Sequence, residues 1–185
     1  MASLVLNGNT SGSVTISSPA VSGTTTLTLP STSGTVITTG STFAGTGPAF
    51  SASSTTLVSA ANTTFTKVTY DTEDYDTNSN FASSRFTPTV AGYYQINATI
   101  VFSGIVAVGK KSFVTIYKNG SRFLDGNNAA QISGETTQNS VSGIVYLNGS
   151  TDYVEIYGWQ DTGGAQNIGS DASAKKFTGC LVRSA

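Results

Sequence analysis

Ten residues, Asp71-Thr72-Glu73-Asp74-Tyr75-Asp76-Thr77-Asn78-Ser79-Asn80, hold the densest oxygen-ligand chemistry in this sequence. The carboxylates of Asp71, Glu73, Asp74 and Asp76 are the ligand type that a hard cation such as calcium takes. The register of an EF-hand is not met. Counted from Asp74, the position that needs glycine holds Ser79, and the position that needs an acid holds Arg85. The competing reading is a polar loop between strands whose Asp and Asn side chains make local turns. On that reading no metal and no cofactor is expected.

Nucleophilic catalysis meets a harder limit. The chain has no histidine, which removes Ser-His-acid and Cys-His arrangements. Cys180 is the sole cysteine, so no intrachain disulfide or zinc knuckle can form. With no neighbouring base, it reads as a small buried hydrophobe in an apolar strand. Carboxylate pairs of the glycosidase type are easily drawn among ten acidic residues and single out none. The chain is therefore expected not to be an enzyme. Tyr153, Tyr157 and Trp159 fall on one face of a strand, opposite Val154 and Ile156. They suit either sheet packing and a subunit interface, or a stacking surface for sugar rings. The Asn-X-Ser/Thr triplets at Asn62, Asn97, Asn119 and Asn148 are better read as turn and strand residues than as glycan acceptors.

Charge is distributed unevenly around these candidates. No Lys, Arg, Asp or Glu occurs before Lys67, so all 19 charges lie in the rest of the 185 residues. The net charge is -1, and the longest basic runs are the Lys110-Lys111 and Lys175-Lys176 doublets, too short for a nucleic-acid footprint. No apolar run approaches the ~18 residues of a membrane span. The first residues lack the basic and apolar regions of a signal peptide, so synthesis in a cytoplasm is expected.

Residues 1–47 form an uncharged Ser/Thr/Gly-rich arm. Val14 and Ile16, Leu27 and Leu29, and Val36 and Ile37 mark short strand-like patches in it, at irregular intervals. Such patches bury little surface alone, so the arm is expected to pair with copies of itself or to anchor on a larger partner. Gly40 to Pro48 reads as a linker.

From residue 48 onward the pattern is strands throughout, with no convincing helix. Tyr94, Ile96, Ala98, Ile100 and Phe102 alternate with Tyr93, Gln95, Asn97 and Thr99, which is a half-buried strand. Asn119-Gly120 follows a strand over Phe113–Tyr117 and precedes Arg122-Phe123-Leu124, a hairpin signal. Asn148-Gly149, between Ser142–Leu147 and Thr151–Trp159, repeats that signal. Lys176 to Val182 forms a last strand. Short strands separated by turns imply an antiparallel sandwich or jelly roll.

Phe86-Thr87-Pro88-Thr89-Val90-Ala91-Gly92-Tyr93-Tyr94-Gln95-Ile96 resembles the central signature of the complement globular-head family, which shares the tumour-necrosis-factor-like jelly roll. Asp152-Tyr153-Val154-Glu155-Ile156 is similar to its penultimate strand, and Phe177-Thr178-Gly179-Cys180-Leu181 to its closing one. The resemblance implies a jelly-roll head over residues 48–185 and a homotrimer. The arm, through Gly12-Ser13-Val14-Thr15-Ile16 and Thr24-Thr25-Thr26-Leu27-Thr28-Leu29-Pro30, resembles segments of tailed-bacteriophage virion proteins. Together these imply a structural protein on the virion exterior. A capsid decoration or cement protein would be anchored on the major capsid protein or another virion protein by its arm. The alternative is a fibre-tip adhesin for a host surface glycan. No nucleic-acid or membrane partner is expected.

Overall fold

The computed structural model describes residues 3–7, 9–17, 20–21, 23–24, 26, 31, 47–103, 109–130, 136–169 and 171–185. The chain divides into two compact units, Met1–Thr38 and Thr39–Ala185. In the first, β1 (Ser3–Asn7) pairs antiparallel with β2 (Ser13–Ser17), and Val14 stands opposite Leu6. Both apolar residues expected in this stretch, Val14 and Ile16, are exposed. Leu27, Leu29, Val36 and Ile37, with most of the Gly40–Pro48 linker, lie outside the described residues.

The second unit is all β, with no helix among the described residues. Its strands are β3 (Ala49–Ser53), β4 (Val58–Ala60), β5 (Thr66–Lys67), β6 (Thr72–Asp76), β7 (Phe81–Ala82), β8 (Arg85–Phe86) and β9 (Gly92–Ser103). They continue with β10 (Lys111–Lys118), β11 (Ser121–Asp125), β12 (Ala129–Ala130), β13 (Thr137–Leu147), β14 (Val154–Gln160), β15 (Gln166–Ile168) and β16 (Lys176–Ser184). One sheet runs β4-β15-β9-β16-β3-β6, with β13 on the other side of β9. The other runs β11-β10-β14-β8-β7, with β12 beside β10 and β5 beside β14. All pairings are antiparallel.

Period-two alternation builds the core between these sheets. Tyr94, Ile96, Ala98, Ile100 and Phe102 of β9 are all buried, as their spacing predicts. They meet Val114 and Ile116 of β10 and Val154 and Ile156 of β14 in one cluster. Phe50 crosses between the sheets: its ring stacks on Phe86 at 4.3 Å and meets Phe177 edge-on at 4.8 Å. Burying a side chain of this size contributes about 1.5–3 kcal/mol.

Asn119 and Gly120 have φ of 51° and 76° and close the hairpin between β10 and β11, as expected. Asn148-Gly149 does something else. It leads from β13, which pairs with β9, to β14, which pairs with β10 in the other sheet. Asn148 Oδ1 accepts the backbone N–H groups of Ser150, Thr151 and Asp152, which turns the chain between sheets rather than into a hairpin. A Cβ on Gly149 would lie 2.3 Å from the Ala91 backbone nitrogen. The glycine is required by that close approach as well as by its φ of 72°.

Cys180 also departs from expectation, because it is exposed. Phe177, Gly179 and Leu181 take the inward positions of β16, which turns Cys180 outward. Gly179 faces Phe50 and Ile96, which fill the space a side chain would need.

Candidate functional site

The acidic stretch does not form an ion cage. Five of its residues, Thr72 to Asp76, are strand β6 rather than a loop, and β6 is the edge of its sheet. Charges on an exposed edge strand discourage further strand pairing, which gives these acids a structural role. Asp71 Oδ2 accepts from Thr56 Oγ1 at 2.6 Å, and bonds from Thr56 and Ser54 hold its carboxyl below the ordinary value. Asp74 accepts from Ser51 Oγ at 2.6 Å and pairs with Lys176 at 3.0 Å; the Ser51 bond, then Lys176, depresses its pKa. Asp76 caps the backbone of Phe81 and Asn78. Among the described residues no three His, Cys, Asp or Glu side chains gather where they would hold a metal.

The aromatic candidates are brought together, with more company than their own strand supplies. Tyr153, Glu155, Tyr157 and Trp159 share the outward face of β14 and its leading residue. Register places Phe113 opposite Trp159, and Tyr117 opposite Glu155. Trp159 stacks on Phe113 at 5.1 Å, Tyr157 on Tyr117 at 4.0 Å, and Phe65 leans against both Phe113 and Tyr117 at 5.8 Å. Each stacked ring therefore spends a face on its neighbour. That favours the packing reading of Tyr157 and Trp159 over an open sugar platform. Arg122 lies over the rings of Phe65 and Phe113 and pairs with Asp125.

Beside this layer sits a charged group that the sequence reading did not single out. Glu155 is buried, yet it accepts from Lys67 Nζ at 2.7 Å and from Arg85 Nε at 2.9 Å. The Tyr157 hydroxyl reaches its second oxygen at 3.4 Å. Burial pushes the carboxyl pKa up, but hydrogen bonds and charge from Lys67 and Arg85 outweigh it and hold the group ionised below its ordinary value. The Arg85 guanidinium carbon also lies over Tyr153, 3.8 Å from the ring centre. The sequence carried one signal for this group. Glu155 interrupts the Tyr153, Tyr157 and Trp159 face, and an acid among aromatics calls for a cationic partner.

The opposite sheet presents a different surface. Tyr93, Ile144, Tyr146 and Val182 are exposed on β9, β13 and β16. Tyr93 stands opposite Tyr146 in the register, with ring centres 5.4 Å apart. Ile144, at 56% exposure, lies opposite Gln95 on the neighbouring strand. Among the described residues no helix is long and apolar enough to cross a membrane.

No family model matches the chain, and no curated protein matches it. Solved structures do. The globular domain of zebrafish complement 1qA is 18% identical, with a TM-score of 0.51, over 75% of this chain and 99% of that one. Murine APRIL is 8% identical with a TM-score of 0.56, over 74% of this chain and 99% of that one. The Eiger tumour necrosis factor of S. frugiperda is 10% identical with a TM-score of 0.53, over 75% and 93% respectively. At these identities the likeness concerns the fold alone, and in fold the second unit is a jelly roll of the complement C1q and tumour-necrosis-factor type.

Proposed function

We propose that this chain is a non-catalytic structural protein on the exterior of a tailed-phage virion, assembled as a homotrimer. In this reading it decorates and reinforces the capsid. The exposed Tyr93, Ile144, Tyr146 and Val182 face carries the proposal. Four large apolar or aromatic side chains on neighbouring strands are an unusual surface for a monomer, and burying them between copies removes apolar area from water. The complement-type resemblance implies threefold closure. The uncharged arm supplies the anchor: its β1–β2 hairpin shows exposed Leu4, Leu6, Val14 and Ile16 to a larger partner. Strand addition to an exposed edge of the shell would clamp neighbouring capsid subunits.

Sedimentation equilibrium tests the assembly step. The full chain is expected at three times its 19.0 kDa monomer mass, and Ile144→Asp with Tyr146→Asp at the monomer mass. A monomeric wild type would remove the basis of the reading. The adhesin alternative would use the Tyr153, Tyr157 and Trp159 face of the other sheet, where Tyr157 and Trp159 each have one ring face stacked on a neighbour. Strong adsorption of the isolated protein to bacterial cells would favour it over pure decoration.

A further inference from the structure

Next to the Glu155 group, the β5–β8 region forms an open depression of about 460 Å³ lined by Lys67, Arg85, Ser79, Asn80, Thr87 and Thr89, with Ser83 at its wall. Two cations face one buried carboxylate here, which leaves one positive charge in surplus. Both cations are already immobilised. Lys67 Nζ donates to Ser83 O at 3.0 Å and to Glu155, while Arg85 is held by Glu155 and by the Tyr153 ring. A lysine has three N–H donors and an arginine five. Donors therefore remain on both for a ligand, and little side-chain freedom is left to lose on binding it.

The wall is polar and fixed. Asn80 Oδ1 accepts from both the backbone N–H and the hydroxyl of Thr89, and Asn80 Nδ2 donates to Asn78 O. Ser79 and Ser83 each hold a φ of 52°, in the left-handed region that glycine occupies without penalty. Here the two serines put hydroxyl-bearing residues on the wall of the depression, where glycine would leave it bare.

We propose that this depression binds the carboxylate of an acidic sugar, a uronate unit of the kind found in extracellular polysaccharides. A monoanion balances the single surplus charge, and the Arg85 N–H groups beyond the Nε and Nη2 contacts to Glu155 suit a carboxylate. Ser79, Thr87 and Thr89 offer hydroxyl groups to the sugar ring. A phosphate dianion would overshoot the surplus, and a nucleic acid needs a row of cations that this depression lacks. The site lies on the sheet opposite the proposed trimer face, so it stands whether or not the chain trimerises.

Isothermal titration of the full chain with sodium D-glucuronate, glucose and acetate tests it. Glucuronate is expected to bind saturably and at least about tenfold more tightly than either control, since each control lacks one of the two recognised features. Arg85→Gln should weaken glucuronate by about tenfold or more, the value of a charge-assisted hydrogen bond. Because that change also touches Glu155, Thr87→Val provides a second reading with the ion pairs intact. It should weaken glucuronate about threefold to tenfold and leave acetate unchanged. Glucuronate binding no tighter than acetate, or unchanged in both variants, would overturn the proposal. So would amide NMR shifts on glucuronate addition centred at Tyr93 and Tyr146 rather than at Thr87 and Thr89.

Discussion

Glu155 of β14 accepts a 2.7 Å hydrogen bond from Lys67 of β5, across 88 residues of chain. The Glu155 side chain is 4% exposed, whereas Lys67 and Arg85 keep 31% and 42% of theirs in contact with solvent. The three partners are therefore unequal: the cations can turn to water if the pair breaks, and the carboxylate cannot.

That asymmetry predicts an order of stabilities. Replacing both cations, Lys67→Met with Arg85→Met, strands a buried charge and should cost about 3–5 kcal/mol. Glu155→Gln releases the cations to solvent and should cost less, about 1–3 kcal/mol. Urea unfolding of the three proteins measures both. The reverse order would mean that the ion pairs do not control this region.

Acid sensitivity follows from the same group. The folded state holds the Glu155 pKa below its ordinary 4.5, so between the two values the unfolded chain binds more protons. Stability from this group is complete above the ordinary value and is lost as pH falls through the depressed one. Asp74 and Asp152, also depressed by their hydrogen bonds and lysine partners, act in the same direction. The thermal midpoint is expected to fall below about pH 4.5, and to fall less steeply in Glu155→Gln. Parallel profiles for the two proteins would contradict the assignment.

Two adjacent serines should respond oppositely to glycine. Ser83 and Ser84 form the two-residue turn between β7 and β8, with φ of 52° and 58°. Ser83→Gly relieves the backbone and is expected to stabilise by about 0.5–1 kcal/mol. The Ser84 hydroxyl, in contrast, accepts the Tyr70 N–H at 2.8 Å and donates to the Tyr70 carbonyl at 3.2 Å, both in the interior. Ser84→Gly orphans that N–H and is expected to destabilise by about 1–3 kcal/mol despite the easier turn. Equilibrium unfolding separates the two; stabilisation by both would show that the Tyr70 bonds contribute nothing.

The sequence by itself determined what local pattern can determine. Alternation in β9 sorted buried Tyr94, Ile96 and Phe102 from outward Tyr93, Gln95 and Asn97, because a strand turns each successive side chain to the other face. Asn119-Gly120 foretold its hairpin, because both residues tolerate positive φ. Tertiary structure decided which strands became neighbours, since pairing partners are chosen by packing between segments far apart in the chain. Asn148-Gly149 has the same local chemistry as the true hairpin, yet β13 and β14 belong to different sheets. The acidic stretch became an edge strand because β3 was there to pair with it. Cys180 turned outward because Phe177 and Leu181 took the core positions beside it. Lys67, Arg85 and Glu155 met only when β5, β8 and β14 were laid side by side, and no spacing along the chain encodes that meeting.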